Sequence, residues 1–238
     1  MTRPFRALLL AAGLGTRLRP ITLNTPKCLV TIDGEPLLSC WLKKLEQAGC
    51  ESVLINTHYL AEKVQDFLRS WQSSTMAVQT VHEPELLGTA GTLLANQEFF
   101  RGATGLLIHA DNVMKGDLRD FMVAHHSRQA CCLLTMLTFE TKTPTSCGIV
   151  EIDDKQVVRA FHEKIAEPPG NRANGALYAF GQELLDHLDV MNQKPADFST
   201  EVIPKLLGRI QTWHTQHAYL DIGTPEALIS AQNLMSNK

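Results

Sequence analysis

Two glycines and two basic residues lie in one stretch after the first apolar run of the chain. The stretch reads LAAGLGTRLRPITLNTPK from Leu10 to Lys27. Gly13 and Gly15 allow the backbone to approach an anion closely and to turn its N–H groups toward it. Arg17 offers a planar fork of donors for phosphate oxygens, and Lys27 adds a mobile positive charge. This stretch therefore predicts a phosphate-binding loop.

Two other kinds of glycine loop fit the stretch less well. A P-loop ends in Gly-Lys-Ser or Gly-Lys-Thr, and this ending is absent. A dinucleotide-binding fingerprint needs a third glycine where the chain has Leu18, and no acidic residue on a suitable second strand end completes it. The remaining alternative is a tight strand-to-loop turn that binds nothing.

Two aspartates occupy positions that suit a divalent cation. Asp111 follows an apolar strand in the run HADN, and Asp221 begins the run DIGTP. Mg²⁺ takes few protein carboxylates and completes its octahedron with water and phosphate oxygens, so a carboxylate facing a phosphate loop is a natural ligand. The alternative role of Asp221 is to cap or order the helix start that follows it. We predict both aspartates as metal ligands.

The bulk composition sets limits on partners and location. The chain has 238 residues, 44% of them hydrophobic and 20% charged, and a formal net charge of −3. Such a chain has no general basic field, so neither nucleic acid nor a membrane is an expected partner. No apolar run reaches the roughly 18–20 residues that span a bilayer, and the stretch from Met1 to Gly15 lacks a signal-peptide cleavage site. The six cysteines form no CxxC pair, so we expect reduced thiols and a cytoplasmic protein.

Strands and helices alternate in the first part of the chain. Strands are predicted at 6–12, 52–56, 77–81, 105–109 and 131–139, and helices at 36–48, 60–71, 88–100 and 117–126. This alternation favours a mostly parallel sheet with right-handed crossovers. After residue 140, short strands are predicted at 148–152, 157–162, 176–180, 210–213 and 219–220, with helices from Gln182, at 200–207 and from Pro225.

The string from Leu10 to Pro20, followed by Thr25-Pro26-Lys27, resembles the signature of the sugar-phosphate nucleotidyltransferase family, most closely its mannose-1-phosphate guanylyltransferase-like members. The resemblance extends from residue 6 to about residue 230. It implies an α/β fold with a Rossmann-like, mostly parallel sheet, helices on both faces and an inserted sugar-binding subdomain. It also implies one domain over 1–238, with a nucleotide-binding half at about 1–140, a sugar-binding half at about 141–223 and a C-terminal helix at 224–238.

The resemblance also implies roles for individual residues. Arg17 and Lys27 become the catalytic pair that holds the triphosphate, and Asp111 and Asp221 become ligands of a Mg²⁺ cofactor. The implied nucleotide-binding residues are Leu10, Ala11, Ala12, Gly13, Gly15, Thr16, Glu83, Gly88 and Thr89. Cys28 departs from the family pattern, which has proline after the lysine. This departure leaves the charge of Lys27 in place.

Glu83 begins the run EPELLGTAG after the third predicted strand. An ionised carboxylate only accepts hydrogen bonds, and guanine offers adjacent N1–H and N2–H₂ donors that it accepts together. Thymine and uracil present one N–H, and a site built on such pairing rejects a mismatched partner by up to ~10⁴-fold. The run therefore favours GTP. The alternative is a solvated Glu83, or one that caps the next helix.

The sugar site is expected mainly in the second half of the chain. The resemblance implies five sugar-phosphate-binding residues, Asn112, Gly148, Glu163, Lys164 and Asn174. Glu163 can accept from neighbouring sugar hydroxyls, Lys164 can pair with the sugar phosphate, and Asn174 offers both a donor and an acceptor. The alternative for Glu163 and Lys164 is an exposed strand end with two solvated charges.

These features predict a Mg²⁺-dependent enzyme that condenses a nucleoside triphosphate, with GTP favoured, and a sugar 1-phosphate, with mannose 1-phosphate favoured, into a nucleotide-sugar and pyrophosphate. The alternatives are a heptose-1-phosphate guanylyltransferase, a relative that uses UTP, CTP or dTTP or acts on phosphocholine, and a catalytically inactive nucleotide-sugar-binding regulatory protein. A homo-oligomer is compatible with the sequence. His125 and His126 fall on different faces of a predicted helix, and we expect both at the surface or an interface.

Overall fold

The computed structural model describes residues 4–73, 75–191 and 193–236. We number its strands in chain order: Phe5–Leu10 (β1), Thr31–Ile32 (β2), Glu35–Pro36 (β3), Ser52–Thr57 (β4), Ala77–His82 (β5), Thr104–His109 (β6), Asn112–Met114 (β7), Leu134–Glu140 (β8), Gly148–Ile152 (β9), Val158–Glu163 (β10), Arg172–Phe180 (β11), Ile210–His214 (β12) and Tyr219–Asp221 (β13). The α-helices are Leu37–Gln47 (α1), Ala61–Ser70 (α2), Thr89–Ala95 (α3), Leu118–His126 (α4), Gln182–Asp189 (α5) and Pro225–Ser236 (α6). Within the described ranges, no helix has the length and apolar character needed to cross a bilayer.

The chain forms two compact units. The first, which we call the loop unit, comprises residues 5–86, 108–118 and 217–236. The second, the sheet unit, comprises Pro4 and residues 87–107 and 119–216. Each unit is assembled from segments far apart in the sequence, so its internal contacts are largely long-range.

Three parallel strands form the base of the loop unit. β1 pairs with β4 and β4 with β5, which places Leu10 beside Asn56 and Asn56 beside Val81. All six residues of β4 are buried, as expected for a strand between two neighbours, whereas β5 exposes most of its residues. Because parallel strands end at one edge of a sheet, the residues at the ends of β1, β4 and β5 lie close together.

An apolar cluster fixes the segments that carry the two predicted metal ligands. It contains Leu18, Val30, Ile32, Leu37, Val113, Ile222, Leu228 and Ala231. β7 pairs antiparallel with β13, so Asn112 lies opposite Asp221. Burial of Val113 and Ile222 in the cluster holds the backbone beside Asp111 and Asp221 in place.

The sheet unit has mixed strand pairing. β8 pairs antiparallel with β11 and parallel with β12, and β9 pairs antiparallel with both β10 and β11. The register of β11 against β8 shifts between Asn174 and Tyr178, and Ala176 within this irregular stretch has a φ of 50°. Such an irregularity re-aims side chains next to it, here Asn174 and Tyr178.

The structure changes several predicted elements. The strand predicted at 131–139 begins only at Leu134. The helix predicted at 200–207 is instead a π-helical turn at Phe198–Val202 followed by a 3₁₀ turn at Ile203–Leu206, in which Pro204 lacks an N–H to donate. The sequence analysis also omits β2, β3 and β7, which are too short to show a periodic pattern.

Candidate active site

Local hydrogen bonds fold the predicted phosphate loop. Gly15 has a φ of 62°, and a Cβ at this position would lie 2.9 Å from Thr22 Cγ2. The hydroxyl of the buried Thr22 donates to the Gly15 carbonyl at 2.6 Å, and the Leu18 N–H donates to the same carbonyl at 3.0 Å. Only glycine suits this turn, so Gly15 determines the path of the loop backbone at this point.

The other predicted nucleotide-binding residues of this loop differ in exposure. Leu10 is half-buried, Ala11 and Ala12 are buried, and Gly13 and Thr16 are exposed. A Cβ at Gly13 would meet no atom within 4 Å, so the protein itself does not require glycine there. The open space is compatible with the predicted approach of a ligand to the backbone.

A buried side-chain network links the ends of the three parallel strands. The Ala11 N–H donates to Asn56 Oδ1 at 2.7 Å, and Asn56 Nδ2 donates to Glu83 Oε1 at 3.0 Å. Asn56 and Glu83 are each only 3% exposed. The structure thus contradicts a solvated Glu83 and ties its carboxylate to the first residue after β1.

Lys27 brings together the two predicted metal ligands in the loop unit. Its ammonium donates to Asp111 Oδ2 and lies 3.9 Å from Asp221 Oδ1. The Lys27 side chain is 11% exposed, that of Asp111 28% and that of Asp221 49%. The Ile222 N–H donates to the Asp111 carbonyl at 2.9 Å, which fixes the two aspartate backbones to each other.

The two carboxyl groups have opposite pKa shifts. Burial disfavours the ionised form of Asp111, but the positive charges of Lys27 and His109 and the hydrogen bond from Lys27 outweigh it, so the pKa of Asp111 is lowered. Burial and the negative charge of Asp111 raise the pKa of Asp221, against the opposing effect of Lys27 and Arg17. The ionised form of Asp221 is thus disfavoured beside Asp111, and a further cation between the two carboxyl groups would favour it.

Arg17 extends this cluster toward the loop. Its side chain is exposed, and a Cβ added at Gly223 would lie 3.1 Å from both of its terminal guanidinium nitrogens. The guanidinium thus rests against the backbone two residues after Asp221. Both predicted phosphate-binding cations, Arg17 and Lys27, therefore lie beside the same carboxylate.

The residues around Lys27 fit a magnesium ion that also binds a ligand. Asp111 and Asp221 share one cation and supply the hard oxygen donors that Mg²⁺ prefers. His109, which lies near both carboxyl groups, has a buried Nε2 with no hydrogen-bond partner among the described residues. The described ranges contain no group of three or more His, Cys, Asp and Glu side chains that could hold a metal. Remaining coordination positions would fall to water and phosphate oxygens.

Cys28, the departure from the family pattern, is packed rather than reactive. The residue is 1% exposed, and burial raises the pKa of its thiol to about 12. A neutral thiol adds no charge beside Lys27.

In the sheet unit, the predicted nucleotide-binding residues Gly88 and Thr89 contact residues 196–198. Gly88 has a φ of 78°, and a Cβ there would lie 2.4 Å from the Ala196 carbonyl oxygen. That oxygen accepts from the Ala90 N–H at 2.8 Å, and Thr89 Oγ1 accepts from the Phe198 N–H at 2.7 Å. These contacts give Gly88 and Thr89 a structural role that the sequence pattern does not indicate.

Three predicted sugar-site residues meet at the ends of β9 and β10. Gly148 lies opposite Glu163, and a Cβ at Gly148 would lie 2.7 Å from Glu163 Oε2. Lys164 Nζ lies 3.0 Å from Glu163 Oε1, and the Lys164 side chain is 59% exposed. The half-buried Glu163 and exposed Lys164 are thus paired with each other instead of being two independently solvated charges.

Asn174, a fourth predicted sugar-site residue, is oriented by its neighbours. Its Nδ2 donates to Tyr178 Oη at 2.7 Å, and its Oδ1 accepts from the Ala176 N–H at 2.9 Å. Tyr178 is fully buried and also hydrogen-bonds Ser199. Burial, with Glu163 and Asp197 nearby, raises the pKa of Tyr178 well above its usual value, so its hydroxyl stays neutral. The fifth residue, Asn112, lies buried on β7 in the loop unit, where its carbonyl accepts from Trp41 Nε1 at 2.8 Å.

Sequence reasoning missed Asn56, Thr22 and Tyr178. Asn56 had a detectable signal, since it is a polar residue at the end of a buried parallel strand. The expectation that His125 is a surface residue is wrong. His125 is 1% exposed and its Nδ1 lies 2.9 Å from Thr135 Oγ1, whereas His126 is exposed.

Comparison with known proteins identifies the family of the chain. The chain matches the family model for nucleotidyl transferases over residues 6–238, and it belongs to that family. The predicted family resemblance is thus confirmed.

Relatives with described activities differ in the nucleotide that they use. The chain is 29% identical over 237 residues to the catalytic subunit beta of mannose-1-phosphate guanylyltransferase from Drosophila melanogaster, covering 96% of this chain and 62% of that protein. It is 28% identical to a mannose-1-phosphate guanylyltransferase from Mycobacterium tuberculosis, covering 96% and 64%. A UTP–glucose-1-phosphate uridylyltransferase from Synechocystis is also 28% identical, covering 85% and 55%. The chain therefore spans less than two thirds of the length of these relatives.

Solved structures share the fold. A protein described as a glucose-1-phosphate thymidylyltransferase from Bacillus anthracis, crystallised with sucrose, superposes with a TM-score of 0.87 at 21% identity, covering 98% of this chain and 96% of that one. HddC from Yersinia pseudotuberculosis, in complex with GMP-PN, has a TM-score of 0.78 at 22% identity, covering 96% and 98%. The predicted Rossmann-like α/β fold class is confirmed.

Proposed function

We propose that this chain is a Mg²⁺-dependent sugar-1-phosphate nucleotidyltransferase that joins GTP and mannose 1-phosphate into a nucleotide-sugar and releases pyrophosphate. The observation that carries the proposal is the cluster of Lys27, Asp111 and Asp221 with Arg17 beside it. Family membership and the guanylyltransferases among the relatives support it. Two cations and two carboxylates beside a glycine loop suit a reaction in which a triphosphate, a metal ion and a second phosphate meet.

The proposed chemistry is an in-line displacement at the α-phosphorus of the triphosphate. A bond forms from an oxygen of the sugar phosphate to this phosphorus, and the bond to the bridging oxygen breaks, so pyrophosphate leaves with the electron pair. A phosphate monoester has a second pKa of about 6 and is mostly dianionic at neutral pH, so no general base is needed. The task of the protein is to bring two anions together and to stabilise the charge of the transition state.

Arg17 and Lys27 perform this task for the triphosphate in our proposal. The exposed guanidinium of Arg17 offers two donors to one phosphate group, and the Lys27 ammonium supplies a point charge. Asp111 and Asp221 would hold the metal, which when bound neutralises phosphate charge and orients the leaving group. The loop residues Leu10, Ala11, Ala12, Gly13, Gly15 and Thr16, together with Gly88 and Thr89, are proposed to contact the nucleotide.

Glu83 is the residue that we propose to read the base. Its buried carboxylate, already fixed by Asn56, suits the two adjacent donors of guanine. Gly148, Glu163, Lys164, Asn174 and Asn112 are proposed to bind the sugar phosphate. The division into a nucleotide-binding half at about 1–140 and a sugar-binding half after it, and the cytoplasmic location, stay predictions.

A second candidate has specific support. The uridylyltransferase among the relatives favours UTP and glucose 1-phosphate. In this second candidate, Arg17, Lys27, Asp111 and Asp221 of the chain would keep the roles proposed above. A catalytically inactive regulatory protein is disfavoured, because Arg17, Lys27, Asp111 and Asp221 are all present and clustered.

Pyrophosphate release tests these proposals directly. The purified chain is incubated with Mg²⁺ and each of GTP, UTP, CTP, dTTP and ATP, against mannose, heptose and glucose 1-phosphates. We expect release with GTP and mannose 1-phosphate and loss of release on addition of EDTA. Release with UTP or dTTP alone would overturn the assignment of the base, and no release with any pair would overturn the assigned activity.

A further inference from the structure

Asn56 has no role in the proposed function so far, although its side-chain amide forms buried hydrogen bonds to Ala11 and Glu83. It is the fifth residue of β4, 3% exposed, and its amide bridges the residue that follows β1 and the residue that follows β5. On one side Oδ1 accepts from the Ala11 N–H at 2.7 Å, and on the other Nδ2 donates to Glu83 Oε1 at 3.0 Å.

The chemistry of these two partners allows only one orientation of the amide. A backbone N–H can only donate, so the oxygen of Asn56 must face Ala11. An ionised carboxylate can only accept, so the nitrogen must then face Glu83. Reversing the amide would break both bonds and leave buried polar groups unsatisfied, which is strongly unfavourable.

The backbone of Glu83 is fixed as well. Its N–H donates to the Thr57 carbonyl at 2.8 Å, and its carbonyl oxygen lies 2.7 Å from His58 Nδ1. Both the main chain and the carboxylate of Glu83 are thus attached to the segment from Asn56 to His58. The same segment holds the start of the glycine loop through Ala11.

We propose that Asn56 is a positioning residue that aligns the carboxylate of Glu83 with the glycine loop and thereby sets the base selectivity of the site. The inference rests on the proposed function, in which Glu83 reads guanine. Guanine can donate both hydrogen bonds to the carboxylate only if the carboxylate has one orientation relative to the phosphates, which the glycine loop is proposed to hold. Asn56 makes that orientation a fixed property of the protein before any nucleotide binds.

Two substitutions separate the two bonds of Asn56. Asn56→Asp keeps an oxygen acceptor for the Ala11 N–H but places a second carboxylate against Glu83, which repels it. Glu83→Gln with Asn56→Asp restores a hydrogen bond of reversed polarity, since the glutamine amide can donate to the new carboxylate. The double variant should therefore recover thermal stability without recovering the carboxylate that selects guanine.

The experiment measures kcat/KM and equilibrium binding for GTP and for UTP, with the KM for the sugar phosphate as an internal reference. In Asn56→Asp we expect the GTP-to-UTP ratio to fall about tenfold or more, as expected when a polar recognition group is misplaced, with the sugar phosphate KM within about twofold. The double variant should regain the melting temperature of the wild type and keep the lowered ratio. A purely structural role of Asn56 predicts instead that Asn56→Asp alone lowers the melting temperature and leaves the GTP-to-UTP ratio at the wild-type value.

Thr57→Val is the matched control. Thr57 is the next residue of β4, is 1% exposed, and donates through Oγ1 to the Val81 carbonyl at 3.3 Å. Its side chain is given no role in selectivity, so the ratio should stay at the wild-type value. If Asn56→Asp does not fold, Asn56→Ser, which is too short to span Ala11 and Glu83, replaces it.

The possible outcomes distinguish failure of the role of Asn56 from failure of the proposed function. An unchanged ratio in the Asn56 variants of an active, GTP-selective wild type would overturn the role of Asn56 and leave the proposed function standing. A wild type that prefers UTP, or that neither binds nor turns over any nucleotide, would overturn the reading of Glu83 and with it the role of Asn56.

Discussion

The charge cluster of the loop unit and the Asn174–Tyr178 pair of the sheet unit are held by different interactions. In the charge cluster, Lys27, Asp111 and Asp221 are arranged by charge: Lys27 lowers the pKa of Asp111, and Asp111 raises the pKa of Asp221. In the sheet unit, Asn174 and Tyr178 are arranged by neutral hydrogen bonds on a buried strand.

This difference indicates two kinds of preorganisation. Ion pairs near solvent can exchange partners when a charged ligand arrives, because water and the ligand compete for the same charges. Buried neutral hydrogen bonds fix geometry and change little with salt or ligand. Substitutions in the charge cluster should therefore act mainly on turnover, and substitutions at the Asn174–Tyr178 pair mainly on ligand affinity and stability.

Lys27→Met should have the largest effect. It removes the ammonium between two carboxylates and a proposed phosphate ligand, so we expect turnover to fall about 10³-fold, the upper end for loss of one transition-state charge contact. The pKa of Asp111 should also rise, since Lys27 is the largest influence that lowers it. Steady-state kinetics measure the first effect and a titration followed by NMR the second. Lys43→Met is the control, because Lys43 pairs with Glu35 on the same unit at 2.6 Å; equal losses in both variants would contradict the prediction.

Arg17→Ala should follow with a loss of about 10²-fold in turnover and no loss of stability. The side chain is exposed and rests against Gly223, so its removal leaves no cavity. Turnover and thermal unfolding are measured together. Arg69→Ala, which removes an exposed arginine paired only locally with Asp66, should change neither. Near-normal turnover in Arg17→Ala would remove Arg17 from the proposed mechanism.

As the pH falls, the low pKa of His125 in the sheet unit should destabilise the protein at a higher pH than that at which Asp111 becomes protonated. Burial, Arg128 and His126 lower the pKa of His125 from 6.5 to about 3. The unfolded chain therefore binds a proton below pH 6.5 that the folded chain refuses, and stability falls by about 1.4 kcal/mol per pH unit as the pH drops below 6.5 toward 3. Urea unfolding at pH 7 and pH 5 measures this slope. His125→Gln, which can keep a bond to Thr135, should flatten it, and an unchanged slope would place the acid sensitivity elsewhere.

Tyr178→Phe should have the smallest effect. It tests whether the Asn174–Tyr178 pair acts on the affinity for the sugar phosphate. Loss of the bond to Asn174 is expected to raise the KM for the sugar phosphate about five- to tenfold, the equivalent of a net hydrogen bond of roughly 1 kcal/mol. The KM for the nucleoside triphosphate should stay the same. Tyr59→Phe, which removes an exposed hydroxyl that donates to the Leu23 carbonyl at 3.0 Å, is the control. A larger effect on the triphosphate than on the sugar phosphate would contradict this assignment.

The sequence predicts what is encoded locally and misses what depends on distant pairing. The glycine loop, Asp111 and Asp221 could be predicted as site residues because each stands in a short run with its own chemical pattern. Asn56 acquires its role only through Ala11, 45 positions away, and Glu83, 27 positions away. Such partners follow from strand order and register, which periodicity alone does not supply.

Gly88 also shows what a local sequence pattern cannot predict, because its structural role depends on a distant contact. The family resemblance implies that Gly88 binds the nucleotide. The structure adds a reason internal to the protein, the carbonyl of Ala196. That contact joins residues more than 100 positions apart and has no sequence signal of its own.

Gly88 and Gly148 differ in how readily each could be replaced by another residue during evolution. At Gly148 a new Cβ would meet side-chain atoms only, the ring of Phe161 at 2.5 Å and Glu163 Oε2 at 2.7 Å, and changes in those two side chains can make room for it. At Gly88 it would meet a main-chain oxygen at 2.4 Å, and no exchange of side chain moves that atom away. Divergent descendants of this chain can therefore lose Gly148 through compensating side-chain changes, whereas loss of Gly88 requires the backbone at Ala196 to be rebuilt.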